Sequence, residues 1–473
     1  MAPTGVAAVN IKGQTIHSFF KFKPNVTLST VRRLRKDGEE TKNLYQKLDT
    51  IIIDEISMVR ADLMDCIDKF LRLNGKDATK PFGGIQMVFI GDLYQLPPVV
   101  SSSEKAIFTS HYETPYFFSG HFFKSFPMEM LELDHVYRQK DQSFISILNA
   151  IRNNSVTDTD LKALNTRVNP DFSPGGQDFY IYLVPTNAYA DSINEDRLHQ
   201  LAETLHTFQG RISGEFEKGH LPTLLDLRLK VGSQVMMVNN DSSKRWINGT
   251  IGKLLRIEHD EEGDPFMVVK LETGKEVTVS PHEWELYKYT LEDGKIQSDV
   301  VGTFTQFPVK LAWAITIHKS QGKTFQKAII DIGRSVFTSG QTYVALSRCT
   351  SLEGMVLKKP IEKKHIWSDY HIVNFITQYQ YAKSEEKCSL ADKLAILKKA
   401  RDQEEAIEIT YLKANDTKTK RQIIPLKVDT MAYQNKSFEG VLAYCLKRQE
   451  ERVFRVDRIL EIHERNVKSL KSA

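Results

Sequence analysis

Two apolar runs constrain the fold more than anything else in the chain. TIIIDEISM at residues 50–58 and MVFIGDLYQLPPV at 87–99 each hold a short β-branched or apolar stretch that stops abruptly on acid. A strand that is apolar at every residue is buried on both faces, as in a parallel sheet covered by helices. Such a sheet presents polar groups at the carboxyl ends of its strands, where open α/β sheets bind ligands. Strands alternate with helical stretches up to about residue 200, which fits an α/β fold.

The remainder reads differently. At 473 residues the chain is too long for one core. Residues 229–285 hold closely spaced short strands, KVGSQVMMV, GTIGKLLRIEH, PFMVVKLE and KEVTVSP, between Gly- and Asp-rich turns, and predict a small inserted β-barrel. Charged helical residues at about 376–400 predict a linker with one helix, and EEAIEITYL, RQIIPLKV, FEGVLAYCL and RVFRVDRILEI predict a second small β-rich domain. The net charge of +4 permits a nucleic-acid partner without requiring one. Cys66, Cys349, Cys388 and Cys445 are far apart and form no Cys-x-x-Cys pair, so reduced thiols and no zinc are expected. No run approaches the roughly 18 apolar residues of a membrane span. MAPTGVAAVN has neither the basic head nor the apolar stretch of a signal peptide, and it reads as the end of a strand, so the chain is expected to begin mid-domain.

HKSQGKTF at 318–325 ends in the Gly-Lys-Thr of a phosphate-binding loop, but Ile317 stands where that loop needs its first glycine, which argues against a P-loop here. Asp54 and Glu55 pair two carboxylates at a strand end: one suits holding Mg²⁺ through water, the other orienting a hydrolytic water. The alternative is a surface helix start. Gln95, held by Pro97 and Pro98, is placed to sense a γ-phosphate. Arg138 and Arg348 sit among apolar residues, where a guanidinium needs an anion: either a transferring phosphate or a neighbouring carboxylate.

In order, PTGVAA…GQTIHSFF, IIIDEISM, VFIGDLYQLPPV, VYRQ, VGSQVMMVNN…WINGTIG, AWAITIHKSQGKTF and QTYVALSRCTSLEGM resemble the Pif-type helicases of superfamily 1, relatives of RecD. ISMVRADLMDCIDKFLRLN resembles that family's signature segment. The resemblance spans about residues 1–360. It implies two RecA-like parallel-sheet domains with ATP and Mg²⁺ between them, an SH3-like insertion, and single-stranded or forked DNA as partner, with 5′-to-3′ translocation. The implied boundaries are 1–135 for the first RecA-like domain, with a small insertion near 20–48, and 136–205 with 306–375 for the second. The insertion then takes 206–305, the linker and helix 376–400, and the last domain 401–465. Asp54, Glu55, Gln95, Arg138 and Arg348 are implied as catalytic, with Asp54, Gln95, Gln321 and Gly322 at the nucleotide and Asp54 on the metal through water. Thr4, His17, Phe19, Thr316, His318 and Lys319 are implied at the DNA. The family's Gly-x-x-Gly-x-Gly-Lys-Ser/Thr loop belongs upstream of PTGVAA and does not occur in this sequence. The first RecA-like domain is therefore expected to be incomplete, the chain a fragment or a clipped product, and its own ATPase activity absent.

IEITYLKANDTKTKRQIIPLKV and GVLAYCLKRQEERVFRVDRI resemble a WYL domain, a small SH3-like β-rich fold, although Glu439-Gly440-Val441 replaces the naming triplet. The resemblance implies a nucleic-acid or nucleotide ligand at Tyr411, Arg421, Tyr444, Arg455 and Arg458; the alternative is that Arg455 and Arg458 pair with Asp457 or Glu461. The reading is thus an ATP-dependent DNA helicase of genome maintenance, monomeric, cytoplasmic and nucleoid-associated. Two alternatives stand beside it: a non-hydrolysing single-strand-binding fragment and a RecD-like nuclease subunit.

Overall fold

The structure is a computed structural model that describes residues 1–23, 25–34, 44–101, 104–133, 135–176, 178–216, 221–292, 295–333, 336, 338–433 and 436–464. Residues 24 and 35–43 of the expected small insertion lie outside them. Two compact units are present, one of residues 1–151 and 156–367, the other of 152–155 and 368–473.

Both apolar runs are strands. β1 (Thr50–Ile53) pairs in parallel with β2 (Gln86–Phe89). Met1 flanks β1, its amine donating to the Ile52 carbonyl at 2.6 Å while the Asp54 amide donates to the Met1 carbonyl at 2.9 Å. Ile51 and Ile53 are buried, but Ile52 is 49% exposed, so the burial on both faces that the run predicts is met on one face only. The helix Ala61–Asn74 covers that face through Met64, Ile67, Phe70 and Leu71.

This helix carries the signature segment, and its acids tie down neighbouring loops. Buried Asp65 accepts from the His121 and Phe122 amides at 3.0 and 3.1 Å, and Asp68 accepts from the Phe82 amide at 2.6 Å. A carboxylate spends its charge well on backbone donors that would otherwise be buried unpaired.

A second parallel sheet, in the order β14 (Ala314–Thr316), β3 (Ile181–Val184), β15 (Ala328–Ile330), β16 (Met355–Leu357), is buried almost throughout. Between β3 and β14 lies the β-rich insertion. β4 (His206–Gln209) pairs with β6 (Asp226–Leu229), and β5 (Arg211–Gly214) joins β12 (Lys295–Gln306) and β11 (His282–Glu292). The five-stranded sheet runs β10 (Glu276–Val279), β9 (Pro265–Leu271), β8 (Ile251–His259), β7 (Gln234–Met237), β13 (Val309–Leu311). These are open antiparallel sheets; among the described residues no closed barrel forms. Gln234 ties the insertion to the parallel sheet, its side-chain amide donating to the Tyr180 and Ala312 carbonyls at 2.9 and 2.8 Å.

In the other unit, the region expected as a linker and one helix is occupied by two helices, Tyr370–Lys387 and Leu390–Asp402, capped by Asp369 and Ser389. They precede an antiparallel sheet in the order β20 (Glu450–Arg455), β19 (Lys436–Cys445), β18 (Lys418–Tyr433), β17 (Ile407–Leu412), β21 (Ile459–Glu464). Leu397, Ile409, Ile423, Val441 and Phe454 share its core.

Replacing Asp65 by Ala orphans two amides, one of them buried, and should lower unfolding stability by about 2 kcal/mol or more. Urea unfolding measures this, and Asp65→Asn, which keeps an acceptor, should lose less.

Candidate active site

The ends of β1 and β2 bring acids together. Asp54 follows β1, and its carboxylate accepts from the Glu55 amide at 2.9 Å. Glu55 sits in the left-handed region at φ 53, ψ 44, a conformation costly for a residue with a side chain and found most often where function demands it. Burial pushes the Glu55 carboxyl up from its ordinary value, Asp54 and Asp92 add to the rise, and Arg348 opposes it. After β2, the Tyr94 amide donates to Asp92 Oδ1 at 3.1 Å, and the Gln95 side-chain amide reaches Asp92 Oδ2 at 3.4 Å.

Cations arrive from the second half of the same unit. Arg348 is 1% exposed and follows the helix Gln341–Ser347. Its guanidinium donates only to neutral acceptors: the Val344 carbonyl at 3.1 Å, Ser347 Oγ at 3.0 Å and the Lys323 carbonyl at 3.4 Å. Burial depresses it to about 10, and Arg138 adds to the depression. Arg138 donates to Thr324 Oγ1 at 2.9 Å and the Ser347 carbonyl at 3.1 Å. Gln321 meets Gln95 at 3.5 Å, side chain to side chain, and its own Oε1 is buried without a partner. Gly340 fits closely here: at φ 72, a Cβ on it would lie 2.4 Å from the Tyr94 carbonyl and 2.5 Å from that of Gln95. Three carboxylates, two guanidiniums and two glutamines therefore converge.

Residues 1–162 match the model of the PIF1-like helicases, and residues 392–464 match that of the WYL domain. The chain is 31% identical to the ATP-dependent DNA helicase Pif1 of Bdellovibrio bacteriovorus, over 76% of this chain and 77% of that one. To the PIF1 helicase of Xenopus laevis it is 32% identical over 83% of this chain. A crystal structure of Bacteroides sp Pif1 in complex with ADP-AlF4 superposes with a TM-score of 0.73 at 39% identity, covering 80% of this chain and 86% of that one. The chain belongs to the PIF1-like helicase family. It spans only 59% of the Xenopus relative's length and 53% of the human one's.

The other residues that the PIF1-like pattern singles out are placed less uniformly. Thr4 accepts from the Ala7 amide at 3.3 Å and caps the short helix Gly5–Asn10. Phe19 stacks edge-on against Phe20 and Tyr45 at 5.0 and 5.6 Å, which makes it part of an aromatic core, and His17 lies half-buried on the same helix. Thr316 is buried and accepts from the Lys319 amide at 3.2 Å. Burial lowers the His318 imidazole from its usual value. Lys319 is exposed, and Gly322 turns at φ 72 with open space around it.

In the WYL unit the singled-out residues do not share one surface. Arg421 pairs with buried Ile409 on the core-facing side of β18, whereas Tyr444 alternates with buried Ala443 and Cys445 and faces the other way. Arg455 is paired with Asp457 at 2.6 Å and lies 5.0 Å over the Phe438 ring. Tyr411 meets Phe454 edge-on at 5.3 Å. Burial pushes the Tyr381 phenol up, while Arg458 and Arg455 pull it down, which groups Tyr381, Tyr411 and Arg458 with the Arg455–Asp457 pair.

Sequence reasoning singled out neither Gln139 nor Asp92 as a site residue. The Gln139 side-chain amide bridges the Ser347 and Cys349 carbonyls at 3.0 and 2.8 Å, fixing the chain around Arg348. Asp92's position at a strand end beside glycine was its readable signal.

Gly340→Ala should force Tyr94 and Gln95 away from the helix Gln341–Ser347. A stability loss of more than about 1 kcal/mol is expected in thermal or urea unfolding, with the core of the WYL unit unaffected.

Proposed function

We propose that this chain is the motor portion of an ATP-dependent 5′-to-3′ DNA helicase acting on single-stranded and forked DNA in genome maintenance. The observation that carries the reading is Arg348, a fully buried guanidinium bonded only to neutral groups and facing Glu55 and Asp92. A charge so placed is costly unless an anion completes the site. The names of the relatives, ATP-dependent DNA helicases, and the description of one solved relative as Bacteroides Pif1 bound to ssDNA support the same reading.

In this proposal Glu55 orients the attacking water, its raised carboxyl suited to accepting a proton, and Gln95 with Gln321 reads the γ-phosphate across the two RecA-like halves. Arg138 and Arg348 balance the charge that develops on the phosphate. The donor set fits one hard cation held indirectly: Asp54 supplies a carboxylate, and among the described residues no three His, Cys, Asp or Glu side chains form a ligand cluster. Mg²⁺, when bound with ATP, neutralises phosphate oxygens. Thr4, His17, Phe19, Thr316, His318 and Lys319 are assigned to the strand, and Tyr411, Arg421, Tyr444, Arg455 and Arg458 to a WYL ligand, with Arg421 and Tyr444 on separate faces. The assigned compartment is the cytoplasm; no described helix is long and apolar enough to cross a membrane.

DNA-stimulated ATP hydrolysis by the helicase, measured as phosphate release, is expected to be abolished by Glu55→Gln with single-strand binding retained. Hydrolysis that survives the substitution would overturn this account of the nucleotide site. Lys319→Ala should weaken binding of all sequences alike and flatten the log K against log salt slope by roughly 0.7; an unchanged slope with altered sequence preference removes Lys319 from the strand.

A further inference from the structure

We infer that Lys323, Lys310 and Lys319, walled by Asn248, form a site for one backbone phosphate of a single strand. The inference rests on the nucleic-acid reading above and adds Lys310, Lys323 and Asn248, to which the resemblance assigns no role.

The three lysines run from solvent to interior. Lys319 is exposed, Lys310 on β13 is half-buried, and Lys323 is 6% exposed. The Lys323 ammonium donates to Asn248 Oδ1 at 2.6 Å, and its stem lies along Gly249, where an added Cβ would sit 3.6–3.7 Å from it. Asn248 and Gly249 belong to the loop between β7 and β8, so the lysine clasps the insertion to the turn after β14. Around Lys323 the charged or titratable groups are Lys310 on β13, His318 and Lys319 on the preceding turn, and Arg348, which bonds the Lys323 carbonyl at 3.4 Å. The β7–β8 loop that carries Asn248 also holds Asp241, Lys244 and Arg245, with Asp241 paired to Arg245 at 2.6 Å. Among the described residues no carboxylate pairs with any of the three lysines.

Burial lowers Lys323 to about 7 and Lys310 to about 8, with Lys310 depressing Lys323 and Lys319 depressing Lys310. Adjacent desolvated cations without an acid are stabilised by an anion that enters among them. A strand phosphate fits because the cluster opens outward at Lys319, beside Thr316 and His318. The main chain of Lys323 meanwhile touches Arg348, so one residue spans the proposed strand and nucleotide sites.

The test is binding of an oligothymidylate to the full chain by fluorescence anisotropy, across salt and pH, for wild type, Lys323→Met and Lys310→Met. A phosphate that raises the pKa of Lys323 on binding makes wild-type affinity level below pH 7 and falling as pH rises above it, by up to tenfold per unit. Lys323→Met should flatten this fall and reduce the salt slope by roughly 0.7, so that its deficit shrinks about 2.6-fold when salt rises fourfold. Its melting temperature should hold or rise, since an apolar chain of similar length replaces a buried unpaired charge. Lys310→Met should likewise reduce the slope. Folded variants with wild-type slopes and pH profiles would overturn the inference. Loss of fluorescent-nucleotide binding in Lys323→Met with an unchanged strand slope would overturn the assignment to the strand. If the wild-type chain binds no strand at all, the nucleic-acid reading itself fails, and this inference with it.

Discussion

Charge balance across the cleft between the two parallel sheets governs the larger unit. One sheet edge contributes Asp54, Glu55 and Asp92; the other half contributes Arg138 and Arg348, and neither guanidinium is bonded to those acids. If they were, the site would be a buried ion pair, and such pairs add little net stability. Instead each side is held by neutral groups, the Ser347 and Lys323 carbonyls and the Thr324 hydroxyl, which fix the arginines while leaving their charge unsatisfied. An arrangement of this kind costs stability in the empty protein and returns it when a multiply charged anion enters.

The cost is carried by parts that need no ligand. Helix Ala61–Asn74 anchors three loops through Asp65, Asp68 and Asn74, and Phe20 and Tyr45, with Phe19 beside them, pack on its Phe70. Gln139 does the same for the backbone around Arg348. These are the contacts that keep strained Glu55 and buried Arg348 where they are.

A strand end was legible in the sequence as an apolar run that stops on acid, which placed Asp54 and Glu55 after β1 and Gln95 after β2, whereas Arg138 and Arg348 were proposed from their apolar neighbours and the resemblance. Contacts made to main-chain atoms were not legible. Gln139 reads Ser347 and Cys349 through their carbonyls, and Lys323 reaches an asparagine 75 positions away, so neither leaves a residue-type signature. Strand content in the insertion was visible as closely spaced runs, but whether sheets close depends on register, which side-chain identity specifies weakly. The same limit explains Arg421 and Tyr444. Both looked like ligand contacts, yet the register across the β18–β19 hairpin, with its irregularity at Pro425, sends them to opposite faces.

The turn after β14 joins these observations. Within four residues, Gln321 touches Gln95, Lys323 offers its carbonyl to Arg348 and its ammonium to Asn248, and Thr324 receives Arg138. A segment bonded at once to the first sheet, to both arginines and to the inserted β-structure cannot shift at one contact without straining the others, because packed interiors rearrange between discrete states and do not flex continuously. The short stretch that resembles a phosphate loop by its letters has a different structural place: it is the point where the loop after β2, both arginines and the insertion are bonded together.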